Sequence, residues 1–264
     1  VLLSFLAKKL SNYIIRGGGM YKMSCKKIHY CWFGGAPFPE IVIKCMESWK
    51  RFCPDYEIIE WNESNFDVHC CKYVEQAYEA KKWAFVSDYC RFFALYNYGG
   101  IYLDTDVELI RSIDDLPQNF VGFENKSTCN SGLIRGAAIG DDICGKMLNS
   151  YNNDTFVLGD GKLNLKTVCE RETAILEQYG LRLDGTEQFI LNTKIFPQEY
   201  FCPFNYLTGK TVTTKNTYSI HHYSYSWRNS KESFRGKVYK ILYKIFGEDF
   251  AEKIRKKFGK KKQR

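Results

Sequence analysis

Two aspartates separated by one residue, Asp104 and Asp106, directly follow the short apolar segment 101–103. This segment predicts a buried strand, so both carboxylates would lie at its carboxyl end, where ligands bind in parallel α/β sheets. Such hard oxygen ligands suit Mg²⁺ or Mn²⁺, which can bridge a diphosphate and stabilise the charge on a departing nucleoside diphosphate. A polar turn after a strand is the alternative interpretation of the aspartate pair.

A second charged pair, Asp88 and Arg91, lies upstream in a segment that is otherwise rich in aromatic residues. The spacing of three places both side chains on one face of a helix. A guanidinium binds phosphate oxygens in a fork, and a carboxylate can hold a ribose hydroxyl group. The alternative interpretation is a local ion pair on the solvated face of the helix.

The chain has four histidines, and two of them, His221 and His222, are adjacent in a polar segment rich in aromatic residues. Neutral imidazole is a good ligand for a transition metal such as Mn²⁺. A pair of surface histidines is the alternative. His29 lies inside a predicted strand, and we expect it to be a core histidine with satisfied hydrogen bonds.

The elements that position these residues follow from hydrophobic periodicity and from turn residues. A strand, a helix and a strand at 27–33, 39–51 and 57–61 form a βαβ unit, which implies a parallel sheet. Gly99 and Gly100 are predicted to end the helix that carries Asp88 and Arg91. The remaining predicted helices are 72–82, 83–98, 141–151 and 165–179, and the remaining predicted strands are 101–103 and 120–123. Residues 107–110 continue the chain after the aspartate pair.

Composition indicates a globular chain with a sizeable core, since 264 residues include 45% hydrophobic and 26% charged ones. No apolar run approaches the roughly 20 residues that span a bilayer. The eleven cysteines are odd in number, irregular in spacing and free of C-x-x-C pairs. We therefore expect reduced thiols and a cytoplasmic protein.

The charge of +8 is concentrated at one end of the chain. Residues 231–264 hold thirteen Lys/Arg and four Asp/Glu, whereas the first 230 residues carry a net charge of −1. We predict an extension at 1–24, a catalytic domain at 25–229 and a basic amphipathic helix with a tail at 230–264. The apolar stripe of that helix would contact an anionic membrane surface or, alternatively, pack on the catalytic domain. The tail lacks a nucleic-acid-binding module, so no nucleic acid partner is expected.

Four blocks of the sequence, taken together, resemble a known enzyme family. The segments 84–91 and 98–106 are similar to the signature of the DXD sugar-binding glycosyltransferases of family 32. The segments 28–35 and 208–227 are similar to the bacterial branch that makes capsular polysaccharide. The resemblance covers roughly residues 26–228.

Membership of this family implies an α/β fold of the GT-A type with a mostly parallel central sheet. It also implies roles for individual residues at the donor site. Asp88 and Arg91 would hold the nucleotide-sugar, and Trp32 or the competing Phe33 would stack on the base. The metal would be bound by Asp106, by Asp104 directly or through water, and by His222, while Asp104 would also contact ribose or sugar and Trp227 would contact the diphosphate.

The activity implied is retaining transfer of a hexose from a UDP- or GDP-linked sugar to a glycan or lipid-linked glycan, with Mn²⁺ or Mg²⁺ as cofactor. Asp104, Asp106, Arg91 and Trp227 would carry the chemistry by stabilising the leaving group. We expect a cytoplasmic enzyme of capsular or exopolysaccharide synthesis, in peripheral contact with the inner face of the plasma membrane if the tail binds lipid. The acceptor would lie near the end of the strand at 120–123, beside Glu124, Asn125, Asn130 and Ser131.

Two other functions fit parts of the sequence. A haloacid-dehalogenase-type phosphatase also carries D-x-D after a strand, but it usually has Thr or Val where this chain has Glu108. A sugar-nucleotide-binding module without turnover would keep the same fold. The intact aspartate pair, together with Asp88 and Arg91, favours the enzyme.

Overall fold

The computed structural model describes residues 25–205 and 210–223. The predicted extension at 1–24, the predicted C-terminal helix and tail at 230–264, and Trp227 lie outside these residues. The α-helices are α1 (Glu40–Phe52), α2 (Lys72–Glu79), α3 (Trp83–Tyr98), α4 (Asp142–Asn149) and α5 (Val168–Gln178), with a 3₁₀ turn at Gln198–Tyr200. The strands are β1 (Lys27–Cys31), β2 (Glu57–Trp61), β3 (Gly100–Tyr102), β4 (Val107–Leu109), β5 (Phe120–Asn125), β6 (Thr128–Cys129), β7 (Arg135–Ala137), β8 (Gln188–Ile190), β9 (Thr193–Phe196), β10 (Phe204–Asn205), β11 (Lys210–Thr211) and β12 (Ser219–His221).

A mixed eight-stranded sheet forms the centre of the fold, with the order β2-β1-β3-β7-β5-β9-β8 and β6 paired with β5. Strands β1, β2, β3, β5 and β9 run in one direction, and β6, β7 and β8 run against them. The predicted α/β class with a mostly parallel sheet is confirmed. Antiparallel β7, which separates β3 from β5, was not predicted.

Alternation along β3 divides its side chains between two cores, because successive residues of a strand point to opposite faces. Ile101 and Leu103 join the core on the α1 side together with Trp49. Tyr102 joins the core built with α2, α3, α4 and α5 on the other face. Asp104, two residues after Tyr102, therefore lies on the α3 side.

The turn from α3 into β3 requires glycine. Gly99 and Gly100 have φ values of 65° and 100°, in the left-handed region that favours glycine. A Cβ on Gly100 would also lie 2.7 Å from the carbonyl oxygen of Lys27 on β1. The glycine pair thus ends the helix, as the sequence predicts, and it also lets β3 pair closely with β1.

Strand β4, directly after the aspartate pair, is held on two sides. From α1, the Trp49 indole donates to the Val107 carbonyl at 2.7 Å, and Ser48 Oγ accepts from the Leu109 amide at 2.9 Å. Its other edge pairs with antiparallel β12, which brings His221 opposite Val107. The chain after Asp106 is therefore fixed by elements distant in sequence.

All eleven cysteines are free thiols. Among the residues described, no helix combines the length and the apolar character that a membrane crossing requires.

Candidate active site

The carboxyl ends of β1, β3 and β5 meet at one edge of the sheet, because the three strands run in the same direction. Trp32 follows β1, Asp104 follows β3, and Glu124 is the fifth residue of β5. Neighbouring strands are about 4.8 Å apart, so these positions span roughly three strand spacings. Residues that follow or end three different strands therefore lie along the same edge of the sheet.

A buried arginine joins the two charged pairs that the sequence singles out. One terminal nitrogen of Arg91 lies 2.9 Å from Asp88 Oδ1 and 3.2 Å from Asp104 Oδ1. The Arg91 residue is only 4% exposed. The local ion pair between Asp88 and Arg91 does form, but it is buried and not on a solvated face. It also extends to Asp104 of the aspartate pair.

The ionisation of this group depends on burial and on mutual charge. Burial raises the pKa of Asp88 to about 6, and the nearby Arg91 opposes that rise. Burial also raises the pKa of Asp104, again against Arg91, and the Asp106 charge raises it further. Burial lowers the pKa of Arg91, but Asp104, Tyr102 and Asp88 outweigh that effect and hold it well above the ordinary value. The guanidinium therefore stays charged and stabilises both carboxylates.

Tyr102 orients the first aspartate of the motif. Its hydroxyl donates to Asp104 Oδ1 at 2.9 Å, and its ring lies beneath the Arg91 guanidinium at 4.8 Å. The sequence analysis missed this contact, although the i, i+2 spacing of Tyr102 and Asp104 on one strand face was the available signal. Asp104 is thus held in place by two donors.

The second aspartate meets a histidine from the distant strand β12. His221 Nε2 donates to Asp106 Oδ1 at 2.9 Å, and the His222 amide donates to the Asp106 carbonyl at 3.0 Å. Burial lowers the pKa of His221, but its bond to Asp106 and the charges of Asp106, Asp104 and Glu124 raise it overall. The pairing of β4 with β12 brings these side chains together.

Asp104, Asp106 and His221 form a candidate metal centre, since one ligand atom from each lies within 4.8 Å of the other two. Two ligands at right angles, each about 2.1 Å from a divalent ion, lie about 3 Å apart. The 2.9 Å between His221 Nε2 and Asp106 Oδ1 matches that spacing. Two carboxylates and an imidazole fit a divalent cation such as Mn²⁺.

His222, which the resemblance assigns as the metal ligand, has a different environment from His221. Its Nε2 donates to Glu108 Oε2 at 2.7 Å, and Lys44 contacts the same oxygen at 3.0 Å. The histidine beside Asp106 is therefore His221. Alternation along the extended segment explains the difference, because adjacent residues point in opposite directions.

The two aromatic candidates for base stacking differ in exposure. Phe33 is 4% exposed and packs edge-on against Phe66, with the ring centroids 5.9 Å apart. Trp32 is half-buried, its indole donates to the Ala36 carbonyl at 2.7 Å, and its ring contacts Phe38. The structure thus leaves Trp32 accessible at the site edge and places Phe33 in the core.

The four residues predicted on the acceptor side do not share one environment. Glu124 and Asn125 are half-buried at the end of β5. Asn130 is buried, and its side-chain oxygen accepts from the Gly132 amide at 2.7 Å. Ser131 is fully buried. Of the four, Glu124 and Asn125 are the ones with solvent access.

His29 is a buried histidine with both ring nitrogens occupied, as the sequence predicts. Its Nε2 donates to the Gly99 carbonyl at 2.8 Å, and its Nδ1 accepts from the Trp61 indole at 3.1 Å. Burial lowers its pKa to about 4. His29 therefore supports the turn beneath the site as a neutral side chain.

A second buried charge network, which the sequence analysis missed, is centred on β7, the strand next to β3. Arg135 on β7 contacts Asp141 at 3.3 Å and Glu172 at 3.1 Å, and it donates to the Phe120 carbonyl at 2.9 Å. All three charged side chains are fully buried. No local sequence signal marks such a network, because its members come from a strand, a loop and a helix.

Comparison with protein families supports a glycosyltransferase. Residues 39–121 match the family model described as "Glycosyltransferase sugar-binding region containing DXD motif". The matched segment includes Asp88, Arg91, Asp104 and Asp106 and covers less than half of the chain. The predicted resemblance is confirmed at this level.

The chain is also similar to individual proteins. An inositol phosphoceramide mannosyltransferase 3 of Schizosaccharomyces pombe is 31% identical over 99 residues, which cover 34% of this chain and 26% of the fungal protein. The chain thus matches about a quarter of the length of that curated relative. A solved structure entitled "PaToxG Glycosyltransferase" is 20% identical, with a TM-score of 0.46, over 58% of this chain and 69% of the other.

Proposed function

We propose that this chain is a metal-dependent, retaining glycosyltransferase of the GT-A type that moves a hexose from a UDP- or GDP-linked sugar to a glycan acceptor. The observation that carries the proposal is the convergence of Asp104, Asp106 and His221 at the carboxyl edge of the sheet, beside buried Arg91. Carboxylates and an imidazole at such an edge suit a cation that binds a diphosphate. The matched sugar-binding region supports the same chemistry.

The proposed cofactor is Mn²⁺ or Mg²⁺, held by Asp106, Asp104 and His221, and it supplies charge stabilisation to the departing diphosphate. Arg91 favours the ionised form of Asp104 and holds it in position through the 3.2 Å contact. Asp88 binds a hydroxyl group of the donor, and Trp32 stacks on the base. Trp227, which lies outside the described residues, contacts the diphosphate in this proposal.

Retention of configuration is proposed through attack on the same face from which the diphosphate leaves. Charge stabilisation at the leaving group is the main requirement of that route, and positioned cationic groups provide it. The network of buried Arg91 and Asp88 with half-buried Asp104 holds these groups in place before the donor binds. Such preorganisation lowers the barrier because no charged group must reorient during the reaction.

The acceptor is proposed to be a glycan or a lipid-linked glycan in capsular or exopolysaccharide synthesis in a bacterial cytoplasm. The thirteen basic residues of 231–264 support peripheral contact with an anionic membrane. The fungal relative is named as an inositol phosphoceramide mannosyltransferase, which is consistent with a hexose donor. The domain limits 25–229 and 230–264 belong to this proposal.

A dehalogenase-type phosphatase is not favoured. That chemistry needs the first aspartate as a nucleophile, but Asp104 Oδ1 accepts from Tyr102 and contacts Arg91. Glu108, at the position where a phosphatase has Thr or Val, contacts Lys44 and His222. A binding module without turnover would bind the nucleotide but would not release UDP or GDP from the nucleotide-sugar. The measurement of nucleotide release therefore distinguishes it from an enzyme.

Donor screening tests the proposal. The protein is incubated with Mn²⁺ and a panel of UDP- and GDP-sugars, and release of UDP or GDP is measured. We expect release from one donor class and a Mn²⁺-dependent rise in thermal stability with the matching nucleotide. An Asp106→Asn variant should keep the fold but lose both effects. Absence of release with every donor, together with unchanged thermal stability, would refute the transferase.

A further inference from the structure

Glu124 lies at the same sheet edge as the proposed metal centre, two strands beyond β3. The sheet order β1-β3-β7-β5 places Trp32 on one side of Asp104 and Glu124 on the other. If the base stacks on Trp32 and the diphosphate lies at Asp104, the sugar and the acceptor extend toward β5. Glu124 is thus the carboxylate at the end of the site opposite the base.

One side chain from the end of the described chain holds this carboxylate. The Tyr223 hydroxyl donates to Glu124 Oε1 at 3.1 Å. The Cys202 thiol lies 2.8 Å from the same hydroxyl, and burial raises the Cys202 pKa to about 11, so the protonated thiol donates to the Tyr223 oxygen. A carboxylate accepts several hydrogen bonds, so Glu124 can accept a further bond from a substrate hydroxyl while it is bonded to Tyr223.

Tyr223 also contacts the metal-centre histidine and has an unusual backbone. Its ring centroid lies 4.0 Å from that of His221. Its φ is 49°, in the left-handed region that non-glycine residues rarely adopt. Such backbone strain clusters at functional sites. Tyr223 therefore links the position of His221 to that of Glu124.

We propose that Glu124 is a catalytic carboxylate that binds the acceptor hydroxyl group, and that Tyr223 is a positioning residue that orients it. In the transfer step, the acceptor oxygen forms a bond to the anomeric carbon, and the bond from that carbon to the diphosphate oxygen breaks. The electron pair leaves with the nucleoside diphosphate, and the acceptor proton passes to Glu124. This inference rests on the proposed transferase function and adds the acceptor half of its site.

The test compares Glu124→Gln and Tyr223→Phe with the unchanged protein and with two matched controls. Tyr56 donates to Asp114 at 3.0 Å outside the site, so Tyr56→Phe and Asp114→Asn remove the same kinds of group elsewhere. Two quantities are measured with the donor from the screen: Mn²⁺-dependent binding of UDP or GDP, and transfer to a panel of free sugars and aryl glycosides.

We expect Glu124→Gln to bind nucleotide within about twofold of the unchanged protein but to lose 10²-fold or more in transfer, a range typical of general acid–base groups. Tyr223→Phe should lower kcat for transfer about tenfold while the KM for donor stays within twofold, which a merely structural role would not produce. Tyr56→Phe and Asp114→Asn should transfer at the parent rate.

Three results would overturn the inference. If Glu124→Gln transfers sugar at the parent rate, Glu124 takes no part in the reaction, although the transferase assignment stands. Loss of nucleotide binding in Glu124→Gln places the carboxylate on the donor side instead. Absence of nucleotide release by the unchanged protein overturns the transferase function itself, and the inference with it.

Discussion

Gly132 lies against Asp104 so closely that a Cβ on the glycine would come within 2.2 Å of Asp104 Oδ2. The same Cβ would lie 2.9 Å from a terminal nitrogen of Arg91. The Gly132 carbonyl also accepts from the Asp104 amide at 3.1 Å. The backbone after β6 therefore forms one wall of the pocket that holds the first aspartate.

Gly132→Ala should displace the Asp104 carboxylate, because its position is set by Arg91 and Tyr102 on the other side. We expect at least tenfold weaker Mn²⁺-dependent nucleotide binding and a loss of about 1–3 kcal/mol in unfolding free energy, as overpacking typically costs. Titration calorimetry and urea unfolding measure both. Gly159→Ala is the control, since a Cβ there meets nothing within 4 Å; equal binding by the two variants would contradict the prediction.

Substitution of the two adjacent histidines should have unequal effects on metal affinity. His221→Ala removes a proposed ligand and should weaken Mn²⁺ binding at least tenfold, measured by electron paramagnetic resonance of free Mn²⁺. His222→Ala removes only the side-chain bond to Glu108 and should weaken Mn²⁺ binding less than His221→Ala does. The reverse order of effects would restore His222 as the ligand.

Arg91→Met should destabilise the fold as well as the site. Buried Asp88 and half-buried Asp104 would lose their shared cation, and breaking a buried pair such as Asp88 with Arg91 typically costs about 3–5 kcal/mol. Chemical denaturation gives the change in unfolding free energy. Arg182→Met removes an exposed ion pair to Asp184 and should cost much less, because solvent screens exposed charges. Similar losses in the two variants would argue against the buried network.

Stability should fall with acid because of His29. Its pKa is lowered from about 6.5 to about 4 in the folded state, so the unfolded chain binds more protons between these values. The stability that neutral His29 contributes is fully present above pH 6.5 and is lost as the pH falls toward 4. The total loss is on the order of 3 kcal/mol in unfolding free energy. Asp88, whose pKa is raised to about 6, acts in the opposite direction over part of this range. The difference in urea midpoint between the unchanged protein and a variant without His29 should therefore rise from pH 4.5 to 7.5.

His29→Gln supplies the comparison for that pH series, since an amide can donate to Gly99 and accept from Trp61. Urea midpoints of the variant should rise less with pH, or fall, over the same range, because the Asp88 effect then acts without the His29 effect. His69→Gln changes an exposed histidine and should follow the unchanged protein. A parallel profile for His29→Gln would show that other groups cause the acid dependence.

The elements that carry the donor side could be predicted because their signals are local. The helix Trp83–Tyr98 and the strand Glu57–Trp61 have the predicted bounds, since aromatic periodicity and the glycine pair mark them. Helix α5 begins at Val168, three residues after the predicted start. Thr167 caps it by accepting from the Glu170 amide, a capping box that the sequence contains.

The relationships that complete the site were less accessible from sequence because they are set by tertiary packing. Whether His221 or His222 lies beside Asp106 depends on the pairing register of β12 with β4. A shift of that register by one residue would exchange the two histidines. The reach of Arg91 to Asp104 depends on the angle between α3 and β3. Antiparallel β7 carries no motif, yet it places Glu124 two strand spacings from Asp104.

Asp106 and His221 are separated by 115 positions along the chain, whereas Asp88, Arg91 and Asp104 lie within one helix, turn and strand. During synthesis, the arginine-centred network can form long before β12 leaves the ribosome. A cation shared by Asp106 and His221 would then cross-link the two ends of a long loop and offset part of its closure entropy. In the proposed enzyme, the metal would therefore stabilise the fold as well as support turnover.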